Sequence, residues 1–93
     1  MIDDPEIDWL RNQIDAIDHQ ILALVRQRLD VVLRVGDKKR EKNLAVYDPV
    51  RETRLLDHLS SQAQAPLDAD AVRQIFRAVV GECRRLEAAH VEK

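Results

Sequence analysis

The sequence predicts an all-α protein of three helices, one long and two shorter. Three observations predict the helices. Apolar residues at Ile7, Leu10, Ile14, Ile17, Ile21, Leu24, Val31 and Val35 recur at steps of three and four, with one missing member at position 28. Aspartate followed by proline, at Asp4-Pro5 and Asp48-Pro49, places a capping side chain before the residue best suited to a first helical turn. The chain has only two glycines and three prolines, too few turn-formers for a β-sandwich or barrel.

The first helix is expected from about residue 5 to about residue 41, because Asp4 caps it and no glycine or proline interrupts it before Gly36. Its apolar seam has a/d heptad spacing for about four heptads. At about 1.5 Å per residue it is roughly 55 Å long, too long to be covered within one 93-residue domain. A second copy of the chain is the simplest cover for its far end. Residues 42–47 form a short connection. A second helix follows from about 49 to 62, with Val50, Leu55, Leu56 and Leu59 as its apolar face. The small-residue stretch from Ser60 to Pro66 is a loop. Asp68 or Asp70 caps a third helix that runs to about residue 90, with the stripe Val72, Ile75, Phe76, Val79, Val80, Cys83 and Leu86.

Length and composition bound the function classes. At 10.7 kDa the chain makes one domain, residues 1–93. Fifteen basic residues against 17 acidic ones leave a net charge of −2, which gives nucleic acid no basic surface to bind. The single cysteine, Cys83, excludes an internal disulfide framework and a cysteine-based zinc site. His19, His58 and His90 lack metal-ligand spacing, so no metal is expected. The acidic start MIDDPEID has no apolar region of a signal peptide. No run approaches the roughly 18 apolar residues of a membrane span. The expected setting is the reduced cytoplasm, away from membranes.

Several charges stand where a helical core does not need them. Arg28 fills the gap in the seam, where a cation is costly unless it meets an anion. It serves either as a register-setting polar residue or as an anion ligand. Lys39 lies eleven residues on, almost three whole turns, so the two side chains can lean together around a small dianion. The alternative is a solvated basic end shared with Lys38, Arg40 and Lys42. Arg11 flanks the seam about 25 Å from Arg28 along the axis. One small ligand cannot touch both on one straight helix. Arg11 is therefore either an exposed helix arginine or part of a site completed by another chain. Asp48, Arg51 and Glu52 lie within one turn, as a cap and first-turn charges or as the wall of a site. Glu87 continues the third helix's stripe four residues after Cys83, at the rim of the core or buried in it.

In order along the chain, these residues resemble the all-helical class of chorismate mutases. The matching elements are Leu10-Arg11 with Ile14-Asp15-x-Ile17-Asp18, Leu24-x-x-x-Arg28, Val35-Gly36-x-x-Lys39, Tyr47-Asp48-Pro49-x-Arg51-Glu52, and Ile75-Phe76 with Cys83-x-x-x-Glu87. Each is weak alone, but together they cover residues 7 to 89. The pattern is closest to the mutase domain of bifunctional chorismate mutase–prephenate dehydratase proteins.

The resemblance implies an intertwined homodimer with two equivalent sites, which would answer both the uncovered helix and the Arg11–Arg28 distance. It implies that Arg11 crosses from the partner chain to the carboxylate of the substrate's enolpyruvyl group. Arg28 holds a substrate carboxylate, and Lys39 donates to the ether oxygen and a nearby carboxylate. Asp48 and Glu52 meet the ring hydroxyl, and Arg51 lines the same wall. Cys83 stands where a small hydroxyl or amide residue often binds the ring carboxylate, and a thiol is a weaker donor. Glu87 stands where glutamine often donates to the ether oxygen, and glutamate donates only when protonated. The implied reaction is the [3,3] rearrangement of chorismate to prephenate in phenylalanine and tyrosine biosynthesis, which needs no cofactor. An isochorismate-pyruvate lyase and a 4-amino-4-deoxychorismate mutase stay open within the same fold. From another class, so does a non-catalytic helical module that binds and regulates a shikimate-pathway enzyme.

Overall fold

The computed structural model describes residues 4–92. Residues 1–3 of the acidic start, and Lys93, lie outside them. Three helices follow in order: α1 (Pro5–Glu41), α2 (Pro49–Ser61) and α3 (Ala69–Val91). Each starts on an aspartate whose side chain accepts from first-turn backbone N–H groups that the helix cannot satisfy itself. Asp4 Oδ1 accepts from Glu6 N at 2.9 Å. Asp48 Oδ1 accepts from Arg51 N at 3.0 Å. Asp68 Oδ1 accepts from Ala71 N at 2.8 Å, which decides between Asp68 and Asp70 as the third cap.

The end of α1 is defined by backbone geometry that the residue pattern does not announce. Asn43 has φ 56°, the left-handed conformation that asparagine tolerates better than most residues. Leu44 N donates to Lys39 O at 2.8 Å and Asn43 N to Arg40 O at 3.2 Å. These two bonds form the Schellman arrangement, which satisfies the last helical carbonyls and turns the chain sharply.

After that turn α2 runs back and α3 runs forward again beside α1. Arg73 on α3 reaches Asp57 and Ser60 near the end of α2, whereas Arg84 reaches Glu52 near its start. Gly36 of α1 sits against Glu87, and Asp37 meets His90 at 2.8 Å. Among the described residues α3 packs on both other helices, and α1 and α2 do not pack on each other. The third helix is therefore the element that sets the two flanking walls relative to one another.

The core of one chain is thin. Its buried residues are Val72, Val80, Cys83 and Glu87 of α3 and Gly36 of α1. Against α3, α1 uses Val25, Leu29, Val32 and Leu33, all half-buried. The a/d seam read from the sequence is a different stripe. Its eight members are 43–63% exposed, and every residue from Pro5 to Leu24 is exposed. No helix among the described residues is long and apolar enough to cross a membrane.

Candidate active site

A cleft of about 160 Å³ opens where the C-terminal half of α1, the start of α2 and the later turns of α3 converge. Seven of the eight expected site residues line it: Arg28, Lys39, Asp48, Arg51, Glu52, Cys83 and Glu87. Arg11 does not. It lies in the exposed N-terminal half of α1, seventeen residues and about 25 Å of helix from Arg28.

Each side chain is placed by its element. Arg28 and Lys39 come to one wall because eleven residues are close to three turns of α1. Val32 and Val35 fill the space between them. Arg28 is half-buried and also borders an apolar groove formed with Ile21, Leu24 and Ile75. Among the described residues it makes no ion pair, so its charge is available to an anion. Lys39 is held more firmly. Its Nζ donates to Val46 O at 2.7 Å, a carbonyl delivered by the turn at Asn43.

The Lys39 ammonium also lies 3.4 Å from Glu87 Oε2. Glu87 is only 5% exposed, so the third-helix acid lies in the core rather than at its rim. Its Oε2 atom is buried without a hydrogen bond, because the lysine is in ion-pair range but poorly aligned to donate. A buried oxygen without a donor is uncommon in folded proteins. Gly36 makes this arrangement possible. A Cβ there would stand 2.9 Å from Glu87 Cγ and 3.1 Å from Val91 Cγ1, closer than packed carbons sit.

Opposite, Asp48 works as the cap of α2, so one of its oxygens is already used by Arg51 N. Glu52, one turn on, is paired with Arg84, whose Nη1 lies 2.7 Å from its Oε1. The Arg84 guanidinium also lies over the Tyr47 ring, 4.5 Å from its centroid. Arg84 was not among the residues expected from the sequence. The signal was available, since Arg84 follows Val80 by four and so interrupts an apolar stripe, as Arg28 does on α1. Cys83 is buried with a free thiol. Among the described residues no three His, Cys, Asp or Glu side chains are grouped to hold a metal ion.

The cleft thus has cations on one wall, a cation-paired carboxylate on the other, and a buried carboxyl from α3 at its base. A small anion that also carries a hydrogen-bond donor suits that pattern. Comparisons with known proteins agree. The chain is 36% identical over 77 residues to a bifunctional chorismate mutase/prephenate dehydratase from Neisseria gonorrhoeae, a match covering 83% of this chain and 21% of the relative. A 4-amino-4-deoxychorismate mutase from Streptomyces pristinaespiralis is 33% identical over 84 residues, covering 87% of this chain and 64% of that protein. The chain thus spans about a fifth of the first relative's length and under two thirds of the second's. The structure of a chorismate mutase (form II) from Thermus thermophilus superposes with a TM-score of 0.85 at 29% identity, over 89% of this chain and 94% of that one. The family model for chorismate mutase type II matches residues 10–88, and the chain belongs to that family.

Proposed function

We propose that this chain catalyses the rearrangement of chorismate to prephenate, as one half of a homodimer with two shared sites. One observation carries the reading. In a member of this family, Arg28, Lys39, Glu52 and Glu87 converge from all three helices on one cleft.

The reaction is intramolecular, so the site has two tasks. It must fold the enolpyruvyl arm over the ring, which removes the entropy cost of reaching the reactive shape. It must also stabilise the ether oxygen as its bond to the ring breaks and negative charge grows there. Arg28 binds a substrate carboxylate by its fork of N–H donors. Lys39, fixed by Val46 O, points a preorganised cation at the ether oxygen and costs no reorganisation during the reaction. Glu87, which lines the same cleft as Lys39, serves as the second donor to that oxygen only in its protonated form. Glu52 and Asp48 accept from the ring hydroxyl, Arg51 lines the wall, and Cys83 packs beneath the ring carboxylate.

Three features of the single chain support the dimer. The apolar seam of α1 is open along its whole length. The cleft is small, below the roughly 300 Å³ of an enclosing ligand pocket. Arg11 sits on the exposed half of α1, where only another chain's cleft can use it. A second α1 packed along the seam would bury the first and bring the partner's Arg11 to a cleft already lined by Arg28, Lys39, Arg51 and Arg84.

The test is direct. Purified protein is given chorismate, substrate loss is followed, and the product is identified by mass and NMR. Prephenate is expected. Pyruvate release or an unchanged substrate contradicts the reading. The amino analogue is a second substrate to compare, because the Streptomyces pristinaespiralis relative carries that activity in its name.

A further inference from the structure

We propose that Arg84 is the specificity-determining residue that sets this site for a neutral hydroxyl, and against a cationic ammonium, on the substrate ring. The inference rests on the reading that Glu52 accepts from that ring substituent.

The two candidate substrates differ at one ring position, where one has a hydroxyl and the other an amine. An aliphatic amine is protonated near neutral pH. A carboxylate accepts a hydrogen bond from either group, but a bare carboxylate in a half-buried cleft favours the cation, because it gains charge attraction as well as the hydrogen bond. A lone Glu52 would therefore welcome the amino compound.

Glu52 is not alone. Arg84 Nη1 lies 2.7 Å from its Oε1, and the pair is part-buried at the edge of the cleft. The guanidinium is held from its other side by the Tyr47 ring at 4.5 Å. That contact draws on the face of the aromatic ring as a cation site. Arg84 is thus fixed between two elements, the connection before α2 and α2 itself. The pairing does three things at once. It fixes the carboxylate in orientation. It cancels the charge that would attract an ammonium. It also places a fixed positive charge next to where that ammonium would sit. A carboxylate has two oxygens, so Glu52 retains one with which to accept from a hydroxyl. The selectivity comes from a repulsive element as much as an attractive one.

The geometry of α3 makes the arrangement economical. Arg84 and Glu87 are three residues apart and so project from one face of the helix. One faces Glu52 and the other Lys39. A single helix therefore brings a polar side chain to each wall of the cleft.

The experiment measures kcat/KM for chorismate and for 4-amino-4-deoxychorismate in the wild-type protein, Arg84→Met and Arg84→Lys. Both substrates are assayed on the same preparation, so a loss of folded protein cancels from the ratio. The wild-type protein is expected to favour chorismate. In Arg84→Met the ratio should move toward the amino compound by roughly tenfold. Arg84→Lys keeps the charge and should hold the ratio near the wild-type value. A ratio that moves less than about threefold in Arg84→Met overturns the proposal, as does an equal movement in Arg84→Lys. A wild-type protein that does not convert chorismate at all contradicts the reading of the function itself, and is told apart from the other outcomes by that measurement alone.

Discussion

At the scale of single residues, Lys39 and Arg28 should be the costliest to lose. Removing one preorganised donor to a developing charge raises a barrier by about 3–4 kcal/mol, roughly 10²–10³-fold in kcat. Lys39→Ala and Arg28→Ala should each show that loss in steady-state assays, with full activity in either one contradicting the site. Glu87→Gln tests the donor role of the acid, because glutamine carries a permanent N–H donor. It should keep or raise kcat/KM for chorismate, and a large loss in that variant removes Glu87 from the donor role. The sequence made most of these residues legible because each breaks a rule of helical patterning. Arg28 fills a gap in an apolar seam, and Glu87 extends an apolar stripe. Arg84 breaks the same rule, but it stands beside Arg85, an exposed arginine paired with Glu82 within its own turn. Two adjacent arginines read as one solvated face. Only the fold separates them, because the partner of Arg84 is 32 residues away.

At the scale of elements, α1 and α3 were readable to within a residue or two, since aspartate caps and three-four periodicity are local signals. The end of α1 fell where it was expected, at Glu41, but the device that makes the stop, the left-handed Asn43, was not read from the sequence. Asn43→Gly removes the strain of a side chain in that conformation and should leave the protein equally stable or more stable by up to about 1 kcal/mol. A β-branched residue there, as in Asn43→Val, should destabilise it and loosen the Val46 carbonyl from Lys39, which thermal melts and kinetics would show together. In the sequence Gly36 is simply the first glycine inside a long helix. The structure gives it a task, because Glu87 occupies the space of its missing side chain. In Gly36→Ala, better helix propensity gains about 1 kcal/mol, and crowding against Glu87 costs about 1–3 kcal/mol. The net runs from about zero to a loss of about 2 kcal/mol, so the melting temperature holds or falls. Activity should fall about tenfold or more as Glu87 is pushed from Lys39. A normal kcat/KM in Gly36→Ala would show that the close approach is unimportant to the site.

At the scale of the whole molecule, the longest helix carries an apolar seam that nothing else among the described residues covers, and Arg11 lies outside the cleft that the other expected residues line. Sequence periodicity revealed the seam but not which stripe of α1 packs within the chain. The seam and the adjacent stripe of Val25, Leu29, Val32 and Leu33 are both apolar, and only the placement of α3 tells them apart. The proposed symmetric dimer would answer both the open seam and the outlying Arg11 with one operation, since each chain would cover the other's seam and lend it Arg11. The central claim, a chorismate-rearranging site shared between two chains, is tested most directly by mixing two dead variants. Arg11→Ala and Arg28→Ala are each expected to be nearly inactive with chorismate. Co-expressed or refolded together, they form mixed dimers in which one site receives both intact arginines and the other receives neither. With random pairing, prephenate formation should return to roughly a quarter of the wild-type rate per chain. A mixture as inactive as its components would contradict the shared site.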